Sequence, residues 1–573
     1  VDLRAGPAGA GGLYLAPLEE RPPLERAAAL RGLAHRVEAA CLPGVLEVSF
    51  GLASLLVRYD PCLTGYHRLV EQVRGVAARR GALPPGPAER TPRTWEVPVV
   101  YGGEAGPDLE AVARETGLTP DQVVARHAGA PYTVLALGFK PGFPYLGPLD
   151  PALHVDRLAR PRPRVPGGSV AIAGPYTGIY PSEAPGGWRL LGRTDRPLVD
   201  LRRDPPVFAL SGDRVVFRPV GTPVPEAESA VEGLGYPESA DGGTALFRVL
   251  DPGLRTTWQD GGRPGWMRYG FAPSGPADVA SFLAVQRLAG NPPHRAALEF
   301  AGRGPVLEAL RGTVVVVAGG AGDTPPAGEV LPGEGGRRVR WLWLRRGQRL
   351  ALNPGPGAAV GYLAIPGGLA APRVGGSAAT DLSAGVGSAF APGAPATLAR
   401  PAPGREERPD EAAALWHACL ARRGRRLVAT RPPDRRRVLW LRLVPEGLQP
   451  VPDELFDVLC RTRFRVSARS DRTGVRLEGG GGGVEASGPL PPGPPRLPSD
   501  PVVRGTVQLL PSGLPVVLLA DHPATGGYLR LGVVDEADLD RLAQALPGQP
   551  VAFHPQGLEE AEALHRRRRG WGA

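Results

Sequence analysis

Lysine is almost absent from this chain. Of 67 lysine and arginine residues in 573, only Lys140 is a lysine, so nearly all of the positive charge is carried by guanidinium groups. A Walker phosphate loop needs a Gly-Lys-[Ser/Thr] step, and Phe139 precedes the single lysine, which excludes that way of holding a nucleotide. The sequence also lacks His-Glu-x-x-His, Gly-x-Ser-x-Gly and a Gly-x-Gly-x-x-Gly joining strand to helix. The standard zinc-protease, hydrolase and dinucleotide motifs are therefore excluded. The four cysteines, Cys41, Cys62, Cys419 and Cys460, form no Cys-x-x-Cys pair and read as isolated thiols, buried or half-buried, rather than a metal or redox centre. Long apolar runs are missing too. "GTVVVVAG", "LPVVLLAD" and "RVLWLRLV" are strand-length and too short to span a membrane. "VDLRAGPAGAGG" shows no cleavable signal pattern, so a cytoplasmic protein is expected.

Glycine (80) and proline (68) are abundant, which argues for many short strands joined by tight turns rather than a helical protein. With 42% hydrophobic residues the chain can build cores, and its length suggests two to four domains. The formal charge of +10 is diluted over the chain, and the clusters Arg422 to Arg426, Arg435 to Arg437 and Arg566 to Arg569 have no interleaved aromatics. They read as a solvated basic face, not a nucleic-acid surface.

Residues 1–90 mix a helical pattern, "LERAAALRGLAHRVEAA", with a strand pair around Gly51, "LEVSFGLASLLVRYD", and read as an α+β subdomain. A proline-rich seam opens residues 91–220. Here "PDLEAVARETG" ends on Gly117, and "TPDQVVARHAG" carries Thr119 as N-cap with Gln122 closing a capping box. Residues 221–243, acidic and without periodicity, read as a linker. A second β-rich unit follows over 244–556, with a helix at "PADVASFLAVQRLAG" and the insert Gly479 to Gly483. Residues 557–573 form a basic tail, acidic first and basic last as suits a helix dipole.

Five stretches set Arg, Asp, Gln, Ser or Thr beside glycines that let a ligand approach the backbone. They are "HAGAPYTVLALGFKPGFPYLG", "PRVPGGSVAIAGPYTGIYPSEAPGGWRLLGRT", "TTWQDGGRPGWMRYGFAPSGPAD" with "GNPPHRAALEFAGRGP", "GGLAAPRVGGSAATDL", and "RGTVQLLPSGLPVVLLADHPATGGYLRL". The first two resemble the family of the B-type subunit of 5-oxoprolinase, which includes a sporulation-kinase inhibitor and was formerly described as allophanate hydrolase subunit 1. The others resemble the C-type subunit of 5-oxoprolinase. The chain thus looks like a fusion of two proteins usually encoded apart, and the same pair of modules resembles the carboxyltransferase part of urea carboxylase.

The resemblance implies a mainly β architecture with α+β pieces: two cyclophilin-like β-barrel units joined by a linker, each with a smaller α/β subdomain. It further implies ATP-dependent opening of 5-oxoproline to glutamate, with Mg²⁺ accompanying ATP and a separate A-type subunit of 5-oxoprolinase as partner. Activating the lactam carbonyl oxygen by phosphorylation would give water a better target. Carried over residue by residue, the resemblance points to His127, Arg164, Asp260, Arg263 and Asp278 as catalytic. It points to Lys140, Ser169, Thr177, Tyr180, Arg193, Gln259, Asn291, Ser377, Thr380, Gln508, Asp521, Thr525 and Tyr528 as substrate- or nucleotide-binding. Glu299 and Asp381 match the same motifs, while metal ligands and self-association stay open. The chain departs from the family pattern at Tyr176, Ala184 and Ala379, and in "HPAT" at 522–525. The competing readings are a biotin-dependent carboxyltransferase component and a kinase-binding module acting through the first unit alone.

Overall fold

The structure is a computed structural model describing residues 2–79, 91–221, 244–321, 330–331, 339–390, 397–400, 430–449, 451–479, 490 and 497–570. The expected linker from residue 222 on, the glycine insert from 480 on, Arg422 to Arg426 and Cys419 lie outside the described residues.

Alternation around Gly51 does make a strand pair. Val45–Phe50 and Leu55–Tyr59 pair antiparallel in a four-stranded sheet with Gly12–Pro17 and Leu3–Pro7. The helices α1 (Pro23–Ala39) and α2 (Tyr66–Ala78) bury Leu30, Leu33, Val37, Leu69 and Val73 in one core with Leu13, Leu15, Leu55 and Val57 of the sheet.

The next unit is a closed barrel of seven strands, Thr94–Tyr101, Tyr132–Leu137, Pro144–Gly147, Ser169–Ala173, Tyr176–Ile179, Arg189–Arg193 and Arg214–Pro219. Its inward residues Val97, Val99, Val134, Leu146, Val170 and Ile172 are fully buried, each contributing about 1.5–3 kcal/mol of transfer free energy. Helix α3 (Leu109–Thr116) stops at Gly117, which adopts the left-handed conformation. Helix α4 (Pro120–Ala128) begins with the expected capping box between Thr119 and Gln122.

After residue 244, a five-stranded and a six-stranded sheet share a core that includes Phe247, Trp258, Phe300, Leu307 and Leu350. Helix α5 (Val279–Leu288) covers the outer face of the six-stranded sheet through Phe282, Val285 and Leu288. A second closed seven-stranded barrel follows between Leu439–Pro445 and Pro550–Pro555, with helices α6 (Asp453–Arg461) and α7 (Glu536–Ala543). Each barrel contains one parallel pair, Arg214–Pro219 with Thr94–Tyr101 in the first and Leu439–Pro445 with Pro550–Pro555 in the second.

The two halves interlock. The Arg530 guanidinium lies 4.3 Å from the Tyr14 ring centroid and pairs with Glu446. Asp500 accepts hydrogen bonds from the N–H groups of Ala53 and Ser54. The stretch expected as a tail is helix α8 (Leu558–Gly570). It is anchored to the N-terminal piece because Glu562 accepts from the Tyr59 hydroxyl at 2.9 Å and the Tyr66 N–H at 2.8 Å.

Candidate functional site at the junction of the units

Strand Arg255–Gln259 delivers Asp260, Gly261, Gly262 and Arg263 into a tight turn. Gly262 has φ +87°, and a Cβ there would sit 2.6 Å from Pro273 O, so this turn requires glycine. The buried Asp260 carboxylate accepts from Gly262 N (2.9 Å), Ser377 Oγ (2.6 Å) and Ala378 N (2.7 Å), and Arg373 pairs with it at 3.3 Å. Asp260 thereby clamps loop 377–380 against the turn. Thr380 N donates to Trp258 O, and Gln259 Nε2 donates to Thr380 O.

The clamp places Arg263. Its side chain is 1% exposed and Nη2 donates to Ala379 O, yet Nε and Nη1 are buried without a partner among the described residues. Burial lowers the Arg263 pKa, while Asp381, Asp521 and Asp260 favour its charge. A cavity of about 20 Å³ lined by Arg263, Trp258, Ser377, Thr380 and Gly387 adjoins the guanidinium. That volume holds one water-sized group, such as an oxygen of a carboxylate or phosphate.

A second cluster stands beside it. Arg472 grips Asp521 through two hydrogen bonds (2.7 and 2.9 Å), reaches Glu299 at 2.5 Å and donates to Gly275 O at 2.7 Å. Burial, with Asp381 and Glu299 adding like charge, pushes the Asp521 carboxyl up to about 7 against the pull of Arg472. Asp381 accepts from Ser383 Oγ (2.8 Å) and Ala384 N (3.0 Å), and its other oxygen has a 3.4 Å contact with Ser274.

The Gly-Phe-x-Pro-Gly-Phe stretch of the first barrel meets this cluster. Phe139 N donates to Thr525 Oγ1 (2.9 Å), Gly142 N donates to Tyr269 O (2.8 Å), and the Lys140 ammonium donates to Ser383 O. Burial lowers the Lys140 pKa, and nearby Asp381 opposes the shift. Phe139 (φ 65°) and Ser274 (φ 55°) are two of three non-glycine residues with positive φ among those described. Backbone strain of this kind, at a cost of about 1–3 kcal/mol each, concentrates at functional sites.

Several expected site residues fall elsewhere. His127 is fully buried inside the first barrel, with Nδ1 2.7 Å from the Tyr101 hydroxyl, Nε2 2.9 Å from Thr177 Oγ1 and the ring stacked on Phe217. Burial lowers its pKa to about 3, so it is neither a helix-capping cation nor a base open to substrate. Thr177 is held in the same network, donating to Ala171 O. Arg164 is on the surface with its side chain 81% exposed, facing Glu183, too solvated for a catalytic cation. Asp278 caps α5 and is saturated, accepting from Ser281, Thr430 and Gln544. Asn291 ties Gln286, Ile365 and Gly367 together. Tyr180 packs edge-on against Phe143 and Phe139, Ser169 is buried at the start of a barrel strand, and Arg193 Nε donates to Gly167 O. Tyr528 is 39% exposed. Gln508 is buried against Gly526 with Nε2 unpartnered among the described residues. Cys41 and Cys62 are exposed, contrary to the burial expected of them.

Arg472, Ser274, Arg373 and Ser383 escaped the sequence reading. The one available signal for Arg472 was its position inside an Asp-x-Thr-Gly turn, where Asp471 accepts the Thr473 N–H. We expect His127→Gln to keep turnover within about a few-fold while lowering the thermal midpoint. Loss of activity in a folded protein would return His127 to the site. Because His127 is neutral when folded but protonates near pH ~6.5 when unfolded, the stability it provides is present above that pH. It is lost as pH falls toward about 3.

The family model described as carboxyltransferase domain, subdomain C and D, matches residues 4–209. The one described as carboxyltransferase domain, subdomain A and B, matches residues 269–555. The B-type subunit of 5-oxoprolinase from Escherichia coli O157:H7 is 54% identical over 127 residues, 22% of this chain and 58% of that protein. The C-type subunit of 5-oxoprolinase from Escherichia coli K12 is 30% identical over 330 residues, 55% of this chain and 93% of that protein. The crystal structure of TTHA0988 superposes with a TM-score of 0.77 at 36% identity, covering 95% of this chain and 99% of that one. No helix among the described residues is long and apolar enough to cross a membrane.

Proposed function

Because the chain belongs to the family of the B-type and C-type subunits of 5-oxoprolinase, with both parts in one polypeptide, we propose that it is the component that uses ATP to activate 5-oxo-L-proline. Ring opening to L-glutamate is then completed with a separate A-type subunit in the cytoplasm. The observation that carries this reading is Arg263, a buried guanidinium with two nitrogens unpartnered among the described residues, beside the junction where the two halves meet. A buried donor of this kind is costly unless a ligand completes it. The substrate carboxylate or a phosphoryl oxygen is the matching acceptor.

Arg263 binds the anionic group, and Asp260 with Ser377 holds the loop that orients it. Asp521 and Arg472 are positioning residues that set the charge around it. Mg²⁺ would neutralise phosphate charge, and Asp381, with one oxygen held by a long contact, is the carboxylate suited to hold it. Lys140 stands at the rim, where an ammonium can meet a phosphate.

Glutamate formation from 5-oxoproline and ATP, measured with and without the A-type partner, tests the proposal. Carboxyl transfer from carboxybiotin with no glutamate formed would replace it with the reaction suggested by the family models' carboxyltransferase description. A binding module acting through the first barrel alone fits less well, since its Phe139–Gly142 turn is engaged by Thr525, Tyr269 and Ser383 of the second half. We further expect kcat/KM to fall below about pH 7, because protonating Asp521 releases the grip of Arg472. A profile flat from about pH 5.5 to 8 would remove Asp521 from the site.

A further inference from the structure

Away from this junction, a carboxylate oxygen of Asp60, the sulfur of Cys62 and a ring nitrogen of His565 lie within 4.8 Å of one another. We propose that these three side chains bind a divalent metal ion of the zinc class. Three features of the cluster support a metal.

Its donor set is carboxylate, thiolate and imidazole, the combination that selects Zn²⁺ over Mg²⁺ or Ca²⁺. His565 is only 8% exposed and its Nε2 has no hydrogen-bond partner among the described residues. The other ring nitrogen, Nδ1, lies 3.2 Å from a carboxylate oxygen of Glu536. A carboxylate only accepts, so in the neutral imidazole it fixes the proton on Nδ1 and makes Nε2 the nitrogen that can ligate. Metal-bound histidines are oriented by this same second partner. Finally, the ligands are pre-set on short, anchored segments. Asp60 Oδ1 accepts from the Cys62 N–H at 2.9 Å, and Arg566 donates to Pro61 O at 3.3 Å, holding α8 against the loop. The Arg566 charge is partly countered by Glu562 at 3.6 Å, which weakens its repulsion of an incoming cation.

Binding converts the Cys62 thiol to a thiolate and releases its proton to solvent, so affinity rises with pH. With three protein ligands, the fourth tetrahedral position is left to water. The ion would tie α8 to the loop after Leu55–Tyr59, two segments about 500 residues apart in sequence. Its role is accordingly to brace the association of the two halves, independent of the chemistry at Arg263.

Cobalt(II) titrated into the metal-free full-length protein tests the site. The expected result is a thiolate-to-cobalt charge-transfer band that saturates at one equivalent per chain. The band should vanish in Cys62→Ser, persist in Cys41→Ser, and require at least about tenfold more cobalt in His565→Gln. Cys62 is exposed, so its substitution tests the proposal even if His565→Gln does not fold. Absence of the band in the wild type, or its survival at full intensity in Cys62→Ser, would overturn it.

Discussion

Arg263→Met should sharply reduce 5-oxoproline-dependent ATP hydrolysis, with a loss of about 10²–10³-fold in kcat/KM, and leave the thermal midpoint unchanged or raised. The expected loss follows from removing a charged donor aimed at an anion in a dry site, an effect of about 3–4 kcal/mol on the transition state. The stability half of the expectation follows from burial. Arg263 is 1% exposed, and two of its nitrogens have no partner among the described residues, so the folded protein carries a desolvation cost that Asp381, Asp521 and Asp260 offset only in part and that an apolar side chain of similar volume removes. Enzyme assays and calorimetry on the same preparation check both halves. A variant that is active, or inactive because unfolded, contradicts this assignment.

Arg472→Met should behave in the opposite way, destabilising the protein by about 3–5 kcal/mol. Arg472 is also buried, but every arm is engaged: two bonds to Asp521, one to Glu299 and one to Gly275 O. Its removal leaves two buried carboxylates without the cation that hydrogen-bonds them. Adding Asp521→Asn to Arg472→Met should recover part of the loss, because it deletes one of the stranded charges. Denaturant midpoints for the two single variants and the double variant give the coupling. Strict additivity would show that the cluster does not act as a unit. The two arginines thus separate by whether the protein completes their hydrogen bonds, and only the incomplete one is read as a ligand site.

Local features were legible in the sequence wherever the determining partners are near in the chain. The Thr119–Gln122 capping box, the Gly117 stop and the strand pair about Gly51 each depend on residues a few positions apart. The Gln259-Asp260-x-x-Arg263 turn and its partner Ser377 were legible as motifs, and the fold places them together. Arg472 was not, since its carboxylates lie 49 and 173 residues away and no periodicity marks such a meeting. His127 illustrates the converse. Its motif position suggested chemistry, but the barrel closed over it, and desolvation made it a neutral core residue.

By itself, then, the sequence determined the secondary elements, the glycine turns, the exclusion of lysine-based phosphate loops, and family membership through ordered motifs. Only the tertiary structure decided which charged groups are buried and which of those are left incomplete. It set Lys140 against Ser383, 243 residues away, and gathered Arg263, Asp381 and Asp521 at one junction while leaving Arg164 in water. Local conformation is set by steric preference and hydrogen bonds over a few residues. The charge state and reactivity of a side chain depend on how much solvent is excluded around it, and that is fixed by whatever distant segments fold over it.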